Sequence, residues 1–253
     1  MSSYRTALVT GASSGMGRGV ALELARRGTY VYAAARRKQE LDALVDEIAR
    51  AGGAGEAFPL DVANADATHD AVRALDEKNP LELVIANAGV GDFTPAQKFK
   101  WKRAKQLIDV NFTGAVATIA GALPGMIERG TGHIVGIASV AGLRGLPMFS
   151  TYSATKAALI TFLEGLRLDL HGSHVYVTTI CPGFVKTEMT ANNKGPMPFA
   201  MECKDAVKVI LKAIDDKESV RAFPWPLVAA IKSTRLVPDA LFVAMNRRSN
   251  LGG

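Results

Sequence analysis

The stretch Ala7-Leu8-Val9-Thr10-Gly11-Ala12-Ser13-Ser14-Gly15-Met16-Gly17 decides the fold. Ala7 to Thr10 is a short apolar run of the kind that forms a buried strand, and it stops at the first of three closely spaced glycines. From Met16 to Arg27 the apolar residues Val20, Leu24 and Ala25 recur at helical spacing. A strand, a glycine turn and a helix in that order place free N–H groups and the positive end of a helix dipole where the backbone turns most tightly. That arrangement receives a phosphate or pyrophosphate, and the glycines let the ligand approach the main chain. The strand and helix on either side carry the inference, because a glycine pattern alone is a weak signal.

Working outward, the alternation continues. Strands are expected at Tyr30–Ala35, Ala57–Leu60, Leu81–Ala86, His133–Ala138, Val175–Ile180 and Val220–Phe223. Helices are expected at Gln39–Arg50, Asn64–Lys78, Trp101–Glu128 with a kink near Pro124, Ser150–His171 and Val207–Ile214. Strands alternating with helices give a doubly wound α/β architecture, a parallel sheet of about seven strands covered on both faces. No linker or repeat divides residues 1–253, so one domain is expected, with irregular additions at 184–201 and 224–253.

Composition sets outer limits. The 253 residues are 48% hydrophobic and 21% charged, which excludes a disordered or fibrous chain. A chain of this size buries enough surface to need no disulfide or metal staple. Cys181 and Cys203 lack metal-ligand spacing, and His171 and His174 flank a Gly-Ser turn rather than sharing a helix face, so no metal site is expected. The net charge of +6 is read as scattered surface charge, not as a nucleic-acid footprint. The opening Met-Ser-Ser-Tyr-Arg-Thr has no signal-peptide pattern, and no uncharged apolar run reaches membrane-spanning length, so a cytoplasmic setting is expected.

The end of the second strand reads Ala33-Ala34-Ala35-Arg36-Arg37. Dinucleotide folds usually carry a carboxylate there to bond the ribose 2′-hydroxyl. Two guanidiniums in its place favour a 2′-phosphate, which arginine grips with a planar fork, and hence NADP(H). Arg18 is either a helper or a surface residue.

Tyr152 and Lys156 stand four apart in the Ser150 helix and share its face. A lysine charge beside a phenol lowers its pKa from about 10 and makes it a usable acid/base. Ser139 follows the fifth strand and Asn87-Ala88-Gly89 closes the fourth, both at the carboxyl edge where α/β sheets bind ligands. Asn111 sits within the long helix, an unfavourable place for asparagine.

Taken together these motifs resemble the short-chain dehydrogenase/reductases, in order and spacing, to about Thr187. The resemblance implies a Rossmann-like fold and hydride transfer between nicotinamide C4 and a carbonyl or alcohol carbon, with Asn111, Ser139, Tyr152 and Lys156 as the catalytic set. In that scheme Tyr152 moves the hydroxyl proton and Ser139 donates to the substrate oxygen. Lys156 holds the nicotinamide ribose and acidifies the phenol, and Asn111 holds a water linking Lys156 to solvent. The implied coenzyme contacts are Gly11, Ser13, Ser14, Gly15, Met16, Gly17, Arg36, Arg37, Asp61, Val62, Asn87, Ala88, Gly89, Tyr152, Lys156, Pro182, Gly183, Val185 and Thr187. The residues after Pro224 depart from the family's usual ending, which favours a homodimer over a tetramer.

Val140, Leu143, Leu146, Met148, Phe149, Phe184, Met189, Phe199 and Met201 surround the expected reaction point, with Arg144 and Lys186 as the main polar exceptions. This suits a lipophilic carbonyl or alcohol substrate. Acyl-thioester reduction is the rival activity. An idle dinucleotide sensor is the rival of another class, disfavoured because it need not keep all four catalytic residues. The tail from Pro224 to Arg248 mixes apolar and basic residues, including Trp225, Leu236, Lys232 and Arg235, and serves either as a cleft or dimer cover or as a peripheral membrane contact.

Overall fold

The structure is a computed structural model, and it describes residues 4–191, 193 and 195–247, the side chains of 245–247 excepted. Arg248 of the tail lies outside the described residues. The strands are β1 (Thr6–Thr10), β2 (Tyr30–Ala35), β3 (Ala54–Pro59), β4 (Leu83–Ala86), β5 (Gly132–Ile137), β6 (Val175–Pro182), β7 (Val185–Lys186), β8 (Met201–Glu202) and β9 (Val220–Phe223). The helices are α1 (Gly15–Arg26), α2 (Lys38–Arg50), α3 (Ala65–Lys78), α4 (Trp101–Ile108), α5 (Gly114–Arg129), α6 (Ser150–Asp169), α7 (Glu188–Ala191), α8 (Cys203–Asp215), α9 (Trp225–Ser233) and α10 (Asp239–Arg247).

Seven strands form one parallel sheet in the order β3-β2-β1-β4-β5-β6-β9. Side chains alternate across it. Ala7, Val9, Val31, Ala33, Leu83, Ile85, Val135 and Ile137 pack with α1, α2 and α8, while Leu8, Tyr32, Ala34, Val84, Ala86 and Ile134 pack with α3, α5 and α6. Both faces are therefore dry, which is why the strands read as continuous apolar runs. The order reverses between β1 and β4, opening a crevice at their carboxyl ends.

Two expectations are corrected. β3 begins at Ala54, earlier than Ala57, because pairing with β2 from Tyr30↔Ala54 onward overrides the poor strand propensity of Ala-Gly. The long helix is not one uniform element: it changes winding at Asp109–Thr113, one π-helical segment between α4 and α5, and Pro124 lies inside α5. By length and hydropathy the run Trp101–Arg129 would pass for a membrane span, yet 56% of its most apolar window is buried. Ile119, Ala122 and Met126 pack there against the sheet. The residues expected to be irregular carry β7, β8 and α7, and the tail is helical over α9 and α10.

The sheet's opposite edge is tied by a buried polar chain. Thr178 Oγ1 donates to Glu218 O at 2.6 Å, so it accepts from His133 Nε2 at 2.8 Å, which leaves His133 Nδ1 to accept from the Tyr4 hydroxyl at 2.6 Å. Burial lowers the His133 pKa to about 3.

Candidate active site

Gly11 (φ 68°) and Gly15 (φ 56°) supply the left-handed backbone of the first turn. The turn is packed hard against the end of β4: a methyl group on Gly11 would lie 2.8 Å from Ala88 Cα, and one on Gly17 would lie 2.3 Å from Asn87 Nδ2. Asn87 is the tie between the two strands. Its Nδ2 donates to Thr10 O at 2.8 Å, and the N–H groups of Asn87 and Ala88 both donate to Thr10 Oγ1. The close approach of main chain to main chain leaves the first turn of α1, whose cap residue Ser14 makes no side-chain cap bond, facing the crevice as a phosphate cradle. A nicotinamide dinucleotide fits these residues.

Arg36 and Arg37 are both exposed beside this turn, after β2. Arg37 donates to Ser13 Oγ at 3.0 Å and to Glu188 Oε2 of α7 at 3.2 Å. Arg36 has no side-chain partner among the described residues. Arg18 pairs with Glu47 across α1 and α2. Asp61 lies just past β3, its Oδ1 accepting from Ala63 N at 3.1 Å, and Val62 is buried beside it.

On the other side of the crevice the structure brings Asn111, Ser139, Tyr152 and Lys156 together. Lys156 is buried in α6, and its Nζ donates to Ile137 O at 2.8 Å. The same ammonium would lie 3.6 Å from a methyl group on Gly89, and Asn111 Oδ1 would lie 3.3 Å from it. Asn111 holds both main-chain groups of Val90, accepting from its N–H at 2.7 Å and donating to its carbonyl at 2.9 Å. Its Nδ2 also reaches Thr155 Oγ1 at 3.3 Å, and Thr155 in turn donates to Tyr152 O. The carboxamide thus clamps the loop after β4 to the first turns of α6, and the π-helical winding is what carries it there.

The expectation that lysine acidifies the phenol is corrected. Lys156 Nζ lies 5.9 Å from the Tyr152 ring centre and is engaged by Ile137. Burial pushes the Tyr152 pKa up, offset in part by the Ser139 hydroxyl. Burial lowers Lys156 to about 8 and lifts the neighbouring Cys181 to about 11, so Cys181 is a packed thiol and not a nucleophile. Ser139 Oγ accepts from Ala141 N at 3.1 Å.

Residues 5–197 match the profile of the short chain dehydrogenases. The chain belongs to the short-chain dehydrogenase family. This dehydrogenase is 53% identical, over 97% of its length and 98% of the relative's, to an uncharacterized oxidoreductase of Myxococcus xanthus. It is similar to a short-chain dehydrogenase from Sphingobium yanoikuyae in complex with NADPH (TM-score 0.81, 31% identity, 97% and 95% of the two chains). It is also similar to a short chain dehydrogenase/reductase from Burkholderia phymatum in complex with NAD (TM-score 0.81, 25% identity, 90% and 92%). The chain is an oxidoreductase of a family that uses nicotinamide dinucleotides.

Beside Tyr152 the dehydrogenase has a pocket lined by Phe99, Lys100, Leu107, Met148 and Phe149. Met148 and Phe149 were legible in the sequence; Phe99 and Leu107 were not, because they come from the approach to α4 and from α4 itself, which packs against α6. Val140 instead packs with Leu227 and Ile231 of α9, and Phe199 and Met189 are more than half exposed. The two polar exceptions are engaged elsewhere: Arg144 with Asp239 and the Phe242 ring, Lys186 with Glu202. The segment after β6 runs back past the glycine turn. Thr187 lies against Gly15 and Met189 against Gly91, while Pro182 ends β6, Gly183 packs under Leu227 and Val185 is buried.

Most basic residues are scattered, but Lys98, Lys100, Lys102, Arg103 and Lys105 fall within eight residues with no acid among them.

Proposed function

We propose that this protein is an NADP-dependent carbonyl reductase or alcohol dehydrogenase acting on a lipophilic ketone, aldehyde or secondary alcohol, with Tyr152 as general acid/base. The observation that carries the reading is Tyr152 among the lining of a pocket that also has Phe99, Ala104, Leu107, Met148 and Phe149 in its walls, alongside Asp92, Thr94 and Lys100, with the Ser139 hydroxyl beside the phenol and the Lys156 ammonium near its ring. The bound dinucleotide supplies or accepts the hydride. Ser139 donates a hydrogen bond to the substrate oxygen as charge builds there. Tyr152, whose raised pKa keeps the phenol protonated at neutral pH, gives that oxygen its proton in the reductive direction. Lys156, tied to Ile137 O and 5.9 Å from the Tyr152 ring centre, would hold the nicotinamide ribose with its charge. Asn111 positions both by clamping the Val90 loop to α6, beyond any water it holds.

For the coenzyme, Gly11, Ser13, Ser14, Gly15, Met16 and Gly17 would cradle the pyrophosphate, and Asp61 and Val62 would meet the adenine. Asn87, Ala88, Gly89, Pro182, Gly183, Val185 and Thr187 would line the nicotinamide side. The NADP preference rests on Arg36 and Arg37 and on the missing carboxylate at the end of β2. Residues 184–201 are read as a substrate loop on a single dinucleotide-binding unit, and the tail as its cover. Exposed Ile127 and Leu168 on α5 and α6 support a homodimer seam.

An NADPH-oxidation screen over ketosteroids, retinal, long-chain aldehydes and acyl thioesters, with Tyr152→Phe as control, tests the reading. Turnover of a lipophilic carbonyl that vanishes in the variant is the expected result. Turnover confined to thioesters, or equal in the variant, would overturn it.

A further inference from the structure

The approach to the Tyr152 pocket carries a surface that extends well beyond the pocket's own lining. Between β4 and α4 the chain reads Phe93 through Lys105, and three of its large apolar side chains face solvent: Phe93 is 50%, Phe99 54% and Trp101 65% exposed. Interleaved with them are Lys98, Lys100 and Lys102, also exposed and without a side-chain partner among the described residues. Arg103 and Lys105 are held by neighbours, Arg103 by Gly91 O and Asp92, Lys105 by Asp109. Aromatic side chains at half exposure or more leave apolar surface in water, and Lys98, Lys100 and Lys102, none of them in an ion pair among the described residues, add a positive field beside it. A segment with both properties suits an interface that is apolar below and anionic above.

We propose that residues 93–105 dock the protein on an anionic lipid bilayer. The aromatic rings would settle among headgroups and acyl chains while the lysines pair with lipid phosphates. The lysines match a layer of anionic headgroups, and the indole and phenyl rings match the interfacial zone directly beneath it. The position adds a reason. Phe93, Thr94, Pro95, Lys98, Lys100 and Arg103 line an open groove, and Thr94 and Lys100 also line the pocket that ends at Tyr152. A bilayer-dissolved molecule leaving the membrane here would enter the pocket without crossing water. That benefit rests on the lipophilic-substrate reading; the docking does not.

The chain has two tryptophans, which makes the test direct. Trp225→Phe leaves Trp101 as the sole indole. With vesicles of phosphatidylcholine and phosphatidylglycerol its emission should shift to the blue and be quenched by brominated acyl chains; with pure phosphatidylcholine it should not. Trp101→Phe leaves Trp225 on α9 as a reporter of the tail, whose signal should stay near its aqueous value. Lys102→Glu should weaken flotation with the anionic vesicles by about fivefold or more, the value of one surface lysine at such a membrane. Turnover of a small water-soluble carbonyl should not change. Lys102→Gln, a mild exchange at an exposed helix position, keeps the test informative if the reversal disturbs folding. No flotation of the unaltered protein, a lipid signal from Trp225 but not Trp101, or an indole shift that tracks self-association instead of lipid would each overturn the proposal. All are read without substrate, so they stand apart from failure of the proposed chemistry.

Discussion

Lys156 Nζ donates to the carbonyl oxygen of Ile137 at 2.8 Å, while the ring centre of Tyr152, four residues earlier on the same helix, lies 5.9 Å from it. The charge therefore sits below the phenol and is fixed by the end of β5, not by the tyrosine. Its influence on the phenol is exerted across a gap, in a setting where burial has already raised the tyrosine and lowered the lysine.

Tyr152→Phe should reduce kcat by about 10²–10⁴-fold, the usual worth of a positioned proton donor, with NADPH affinity measured by fluorescence unchanged. Loss of both together would assign the tyrosine to binding instead.

The pH profile should show Lys156. Its pKa near 8 lies below the ordinary 10.5, so the ammonium is lost as pH rises through about 8, while the raised Tyr152 keeps its proton there. In the reductive direction kcat/KM should fall above pH 8 through a single ionisation. Lys156→Arg, which stays charged, should lose that limb even if its rate is low.

Arg36→Ala should weaken NADPH far more than NADH. A charge-assisted phosphate contact contributes about 1.5–3 kcal/mol, or roughly ten- to hundredfold in Kd. Equal losses for the two coenzymes would remove the 2′-phosphate assignment.

Glu188 makes the opposite prediction. It accepts from Arg37 at 3.2 Å and so occupies the guanidinium that a 2′-phosphate would use. Glu188→Gln should tighten NADPH without tightening NADH, an effect of a few-fold because both partners are well exposed. Titration calorimetry of the two coenzymes reads it.

His133 predicts acid lability. Unfolded, it protonates near pH 6.5; folded, only near pH 3. Above 6.5 neither state carries the proton and the site's contribution is complete. Below 6.5 the unfolded chain binds a proton that the folded chain refuses, and stability falls by about 1.4 kcal/mol per pH unit towards pH 3. Urea unfolding at pH 7 and pH 5 should show this slope, and His133→Gln should lessen it by about one proton.

Most of the fold was legible because its strands are buried on both faces and its glycine turn is local. Thr10 to Gly17, Arg36 and Ser139 occupy element ends that hydrophobic spacing locates directly, and Tyr152 and Lys156 lie in the first two turns of α6. What sequence did not reveal depends on contacts between distant segments. Asn111 looked misplaced in a helix because its partner, Val90, is 21 residues away. Phe99 and Leu107 joined the pocket only once α4 was laid beside α6. The phenol's acidity was misjudged because sequence shows that a lysine is near, but not which atom it bonds.

The π-helical segment at Asp109–Thr113 has a consequence for anyone altering this chain. It holds one residue more than a regular helix would need, and that surplus aims the Asn111 carboxamide at Val90. Deleting a single residue from it would swing Asn111 about 100° around the axis, if ordinary winding resumed. The helix would look tidier, and the loop and α6 would come unfastened. An irregularity that a designer would smooth away is here the part that must not be straightened.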